Sequence, residues 1–210
     1  MQMSCNGTVP RIAVVSARVL AYFADPLRPI FREGMAGLGS IVGGKVPLMA
    51  AQTGRPLSGE RLFARVDREL LEETTLTRVG VLRPITTLFC PQRFLEYPRD
   101  KFVELGFDME GIPDDQETVL VWNPTVYVFA ARVRGELPKE PVEGRRVFEI
   151  NLLKDGAKKK VKRRHRPIIK AWRKHHTHGR AIPPIIEIYD EEDPADEPVA
   201  SASEIRDEVD

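Results

Sequence analysis

"GERLFARVDRELLEETTL", residues Gly59–Leu76, decides the reading of this chain. Five of its residues are acidic, and Glu69, Glu72 and Glu73 fall at i, i+3 and i+4. On a helix those positions share a face, and each like-charged pair there destabilises the helix by a few tenths of a kcal/mol. Leu62, Phe63, Val66 and Leu70 recur at helical spacing as an apolar face. That periodicity predicts a helix over Glu60–Thr74, with Ser58 as its N-cap. Acids that repel one another call for a counter-charge. Arg61, Arg65 and Arg68 are local candidates. A divalent cation is the other, because Mg²⁺ and Mn²⁺ take carboxylate oxygens and bridge them to substrate phosphates.

The spacing around these acids is specific. From Gly54, five residues lead to Glu60 and seven more to Arg68-Glu69-Leu70-Leu71-Glu72-Glu73-Thr74-Thr75-Leu76. This resembles the Nudix box, in which a glycine, four glutamates, an arginine and two aliphatic residues stand at these intervals. The departure is Thr75, where the family has a glycine suited to a left-handed helix end. A threonine is poor there, so the turn after the helix is expected to differ. Gly43-Gly44-Lys45-Val46 resembles the Gly-Gly turn that normally leads into the box. On that reading Pro47–Pro56 is an insertion, and Gly54 meets the spacing by accident.

The resemblance implies an α+β fold, a Nudix α/β/α sandwich around a mixed β-sheet. It implies an enzyme that hydrolyses a pyrophosphate linkage in a nucleoside diphosphate joined to another group, with Mg²⁺ or Mn²⁺ as cofactor. Carried onto this chain, Glu69, Arg68 and Glu72 are catalytic. Glu72 and Glu73 are metal ligands, and Glu69 is a ligand or the base that activates water. Arg68 orients the glutamates by a charge-assisted hydrogen bond. Glu60 is a further ligand, completed by a carbonyl of Gly43 or Gly44. Asp114, Asp115 and Glu117 are alternative bases outside the box, or simply a solvated acidic loop. Pro91 lies near a position where ADP-ribose-cleaving members carry proline. Phe89, Phe94, Tyr97 and Trp122 are base-stacking candidates, or core.

The rest of the chain fits that frame. Arg11–Phe23 reads as a strand, Pro47–Gly59 as a loop, Val79–Cys90 as a strand and Pro91–Glu117 as a long irregular stretch. Thr118–Arg134 reads as two strands joined at Asn123-Pro124. Arg145–Gly156 reads as a further strand and turn, and Pro167–His176 as a second helix with Ile168, Ile169 and Trp172 on one side. Strand and helix order alone suggests a mixed sheet with helices on its faces. Residues 1–10 are expected to be a flexible lead-in, 11–180 the domain, and 181–210 an extended segment and an acidic disordered tail. Cys5 and Cys90 form no CxxC, which fits a reducing compartment. No apolar run reaches the roughly 20 residues of a membrane span, and no secretory signal is visible. The expectation is an intracellular, cytoplasmic protein without a membrane partner.

Net charge is only +1, but it is segregated. Lys154–Arg180 is densely basic, whereas Asp190–Asp210 is acidic apart from Arg206. Lys45, Lys162, Arg163, Arg164 and Arg166 are therefore candidate substrate-binding residues. Lys154–Arg180 as a whole is a candidate RNA interface, since clustered cations neutralise phosphates. The bland alternative is a solvated outer face of the last helix. His165, His175, His176 and His178 lack an acidic or Cys companion at ligand spacing, so phosphate or solvent contacts are preferred to a metal site. Three functions remain open: a pyrophosphohydrolase acting on an RNA 5′ end or cap (mRNA decapping), a small-nucleotide (NTP or ADP-ribose) hydrolase, and an RNA-binding subunit of a ribonucleoprotein with little catalysis.

Overall fold

The computed structural model describes residues 11–50, 62–90, 94–104 and 117–188. In chain order these form β1 (Arg11–Tyr22), β2 (Ile30–Glu33), β3 (Gly39–Ser40), β4 (Val42–Ala50), α1 (Leu62–Thr74), β5 (Thr77–Phe89), β6 (Phe94–Pro98) and α2 (Arg99–Glu104). Then come β7 (Thr118–Arg134), β8 (Val147–Glu149), a 3₁₀ turn (Ala157–Lys160), a second 3₁₀ turn (Arg163–His165), α3 (Arg166–His178) and β9 (Ile185–Glu187). The strands make one mixed sheet in the order β3-β2-β1-β7-β5-β9, with β4 on β1, β6 on β7 and β8 on β2. β1 runs parallel to β7 and antiparallel to β4.

Alternation along β1 creates two cores. Val15, Ala17, Val19 and Ala21 point to one face and meet Val66 and Leu70 of α1. Leu20 points to the other and shares a core with Ile168, Ile169 and Trp172 of α3. Successive strand side chains face opposite ways, so one strand supplies both layers. The result is the α/β/α sandwich expected, and α1 and α3 lie on opposite faces. Trp172 also donates its indole N–H to the Pro26 carbonyl at 2.7 Å, tying α3 to the turn after β1. Phe63 is half exposed despite its helical spacing, touching Phe129 edge-on.

Several boundaries differ from the sequence reading. The stretch read as irregular contains β6, paired with β7, and α2; residues 91–93 and 105–116 lie outside the described set. Phe94, Leu95 and Tyr97 are strand formers whose partner lies some 25 residues on, beyond any local signal. Asn123-Pro124 does not break the chain into two strands. Ala13 pairs with Trp122 and Val15 with Thr125, so Asn123 and Pro124 together oppose Val14. Two residues against one is a β-bulge, where proline's missing N–H is tolerated. β4 continues through Ala50, so Pro47–Ala50 is strand rather than loop. β9, in the segment expected to be extended, adds in parallel to β5. No described helix is long and apolar enough to cross a membrane. Ser58, Asp114 and Asp115 and the acidic stretch Asp190–Asp210 lie outside the described residues.

The helix end at the box departure also differs from expectation. Thr75 takes the left-handed conformation, φ +60°, that the family glycine would take. Its N–H still closes on the Leu71 carbonyl at 2.9 Å. The turn is therefore kept, at the cost of holding a β-branched residue where Cβ crowds the following carbonyl. Thr75→Gly removes a strain of about 1–2 kcal/mol and adds unfolded-state entropy that offsets part of it. The expected outcome is a gain of up to about 1 kcal/mol, read as a higher urea midpoint at unchanged slope.

Candidate metal and catalytic centre

Val66 and Leu70 lie fully in the core beneath α1, and they fix which acids of the helix turn inward. Glu69 and Glu73, one helical turn apart, follow them. Their side chains are 9% and 12% exposed, against 54% for Glu72. The three acids are therefore not equivalent: two face the sheet, and Glu72 sits at the solvent edge.

The inward pair meets the backbone of β4 at Gly43 and Gly44. A Cβ on Gly44 would overlap the Glu69 carboxylate and Arg65. A Cβ on Gly43, whose φ is +137°, would overlap the backbone of Ala17 on β1. Both positions need glycine, and in return the strand comes close enough for the Gly43 N–H to donate to Glu73 Oε2 at 3.0 Å. This is the physical content of the Gly-Gly pair that the sequence singled out.

Arginines surround the pair. Arg32 on β2 reaches Glu73 Oε1 at 2.5 Å and also Glu143. Arg65 pairs with Glu69 along the helix. Arg18 on β1 donates to the carbonyls of Gly43 at 2.5 Å and Ile41 at 3.1 Å. Arg68 lies 3.9 Å from Glu72, too far for a hydrogen bond, and both side chains are about half exposed. Arg65 and Arg32 both make close guanidinium contacts to the inward acids. Arg65 stands at i, i+4 spacing and was visible in sequence. Arg32 and Arg18 were not, because they are 41 and 25 residues from Glu73 and Gly43, the groups they bind.

Burial pushes the Glu69 carboxyl up to about 7, with the charges of Glu73 and Glu72 adding to the shift. Arg18 and Arg68 oppose it without cancelling it. The ion pair with Arg65 also favours the charged form, but desolvation beside a second carboxylate outweighs it.

A hard divalent cation fits this chemistry. Two carboxylates face one strip of glycine backbone, and burial beside a second carboxylate raises Glu69. Glu69 and Glu73 would hold it, with Glu72 at the edge. The Gly43 carbonyl, expected as a ligand, accepts from Arg18. Among the described residues no three acidic, His or Cys side chains converge as a cage, and Glu60 and Gly54 lie outside them.

The candidate substrate-binding residues separate. Lys45 lies on β4 beside Gly44. Lys162 is buried along Gly34 rather than offered to solvent. Arg163 is exposed, and Arg164 half-buried. Arg166 donates to the Val161 carbonyl at 3.0 Å. His165 is buried and accepts the Ile41 N–H on Nδ1 at 3.2 Å, which makes it a brace for β4 rather than a phosphate contact. His175 donates to the Arg180 carbonyl at 2.9 Å, and His176 lies edge-on to Trp172. Pro91 is outside the described residues, Phe89 is partly exposed, and Glu117 is exposed.

The raised Glu69 has a stability consequence. Its folded pKa of about 7 exceeds its ordinary 4.5, so the metal-free fold binds the proton more tightly than the unfolded chain does. Stability therefore falls as pH rises from about 4.5 through about 7. In EDTA, Glu69→Gln is expected to be more stable than the parent at pH 8, by on the order of 2 kcal/mol. The difference should vanish at pH 4. Thermal melts at the two pH values check this, and added Mg²⁺ should raise the parent's Tm and not the variant's.

The sequence matches no family model and no curated protein. Its structure is similar to that of a NUDIX hydrolase from Nitrosomonas europaea, at 12% identity and a TM-score of 0.52, over 88% of this chain and 82% of that one. A looser likeness, at 14% identity and a TM-score of 0.47, is to MutT studied from Aliivibrio salmonicida and Vibrio cholerae, over 76% of this chain and 94% of that one. The first of these likenesses, together with the order of the layers and the place of α1 against β4, identifies the architecture: the chain has the Nudix hydrolase fold.

Proposed function

We propose that this protein is a divalent-metal-dependent hydrolase that cleaves a pyrophosphate linkage in a nucleoside diphosphate-linked substrate. The observation that supports this best is the buried Glu69–Glu73 pair against the side-chain-free backbone of Gly43 and Gly44. A pyrophosphate is strongly anionic and repels an attacking hydroxide. Bound Mg²⁺ or Mn²⁺ would neutralise that charge and lower the pKa of water. Glu73, fixed by the Gly43 N–H and Arg32, is a rigid ligand. Glu69 is either a second ligand or the group that takes the water proton on a carboxylate oxygen, a role that favours a pKa near working pH. Arg32 and Arg65 hold the acids in place and offer planar donors to phosphate oxygens.

The finer reading is an RNA 5′ end or cap as substrate, supported by the basic segment Lys154–Arg180. A small-nucleotide hydrolase is the alternative within the same chemistry. A non-catalytic RNA-binding subunit is favoured by one observation: each box glutamate among the described residues has an arginine within ion-pair distance. An intracellular, cytoplasmic setting belongs to the same proposal, supported by the two unpatterned cysteines.

The test is hydrolysis with Mg²⁺ or Mn²⁺ across nucleoside triphosphates, ADP-ribose, dinucleotides, and 5′-triphosphate or capped RNA. Glu73→Gln and Glu69→Gln are expected to lower turnover by about 10²-fold or more, and EDTA to abolish it. Cleavage of the small substrates alone removes the RNA reading. Binding of RNA with no hydrolysis of any substrate sinks the enzyme proposal and leaves the binding subunit.

A further inference from the structure

The 3₁₀ turn Ala157–Lys160 stands between two adjoining clefts. The first, about 560 Å³, has Leu38 and Phe148 in its wall and Lys139, Arg146, Lys159 and Lys160 around it. The second, about 370 Å³, is lined by Leu152 and Ile169 and by Lys158, Lys170, Arg173 and Lys174. Gly156 belongs to both, so the clefts meet at one point of the chain. Glu140 and Asp155 are the acids in their walls, and Glu33 pairs with Arg146 at 2.8 Å. Among the described residues, no carboxylate is ion-paired with Lys159, Lys160, Lys170 or Lys174.

The first cleft lies at the edge of the sheet, with Val147 and Phe148 both in its wall, and the second lies on the face of α3. On β8, Val147 packs into the core under α1, whereas Phe148 packs with the core under α3. Strand neighbours face opposite ways. Phe148 and the α3 residues of the second cleft therefore lie across the sheet from Glu69 and Glu73.

We propose that the paired clefts are a binding track for single-stranded RNA, separate from the carboxylate centre. Three features select that ligand. The cations are strung across two clefts rather than converging, which suits repeated phosphates and not one small anion. Leu38 and Phe148, both partly exposed, line the first hollow inside a charged rim, which lets a base turn inward while phosphates stay at the rim. A lipid surface would instead be met by protruding apolar groups beside the lysines. The inference rests on the RNA reading above for its choice of ligand, and not on hydrolysis.

The test uses the full chain in EDTA and a fluorescein-labelled 12-nucleotide oligouridine, followed by anisotropy at low and moderate salt. Lys159→Glu/Lys160→Glu alters the first cleft and Lys170→Glu/Lys174→Glu the second, with circular dichroism to show that each variant is folded. Each pair is expected to weaken binding at least tenfold and to flatten the salt dependence. Glu73→Gln should bind within twofold of the parent. The proposal is overturned if both charge reversals bind as the parent does, if Glu73→Gln loses binding with them, or if anionic phosphatidylserine vesicles are bound and the oligonucleotide is not. Because no metal is present, loss of this track and loss of the hydrolase reading are separate results: binding without hydrolysis removes only the latter, and hydrolysis with unaltered binding removes only the former.

Discussion

The site depends on one close approach: a helix that turns two carboxylates inward lies against a strand at a pair of glycines, Gly43 and Gly44. Val66 and Leu70 drive α1 onto the sheet by ordinary apolar burial. Glu69 and Glu73 are carried in with them because they occupy the same side of the helix. If Gly44 bore a side chain, the helix would stand off and the acids would regain water. The glycines therefore set the electrostatics of the centre by setting a distance.

Burying two acids together is unfavourable, and the molecule shows both of its responses. Arg32, Arg65 and Arg18 are brought in as counter-charges from β2, α1 and β1. Desolvation outweighs them, and the Glu69 carboxyl is pushed up to about 7. A cation of higher charge density would relieve the repulsion between the two carboxylates directly.

How much of this was legible follows from the range of each interaction. The inward face of α1 and the apolar side of α3 were readable because helix periodicity is local: Val66 and Leu70, and Ile168, Ile169 and Trp172, take the positions their spacing implied. The Gly-Gly pair was readable as a motif, but its reason was not, since the overlap it avoids is with α1 and β1. β6 and the bulge at Asn123-Pro124 were misread because proline and loop-like composition outweigh strand signals until a pairing partner is known. Arg18 and Arg32 were invisible as site residues for the same reason. Thr75 was noticed, and the wrong consequence was drawn: tertiary packing holds the left-handed turn against the residue's preference.

The split of charge between the two faces explains why one segment misled and another did not. Lys154–Arg180 reads as a single basic block, yet Lys162 and His165 are consumed in holding β4 and Gly34, and only part of the block reaches solvent. Burial of those two residues anchors the segment, and the anchoring leaves Lys158, Lys159 and Lys160 on a short turn between two hollows. The sheet then keeps that positive field away from Glu69 and Glu73. Separation by the sheet keeps the acids of α1 and the lysines of α3 on opposite faces, so that neither set of charges cancels the other.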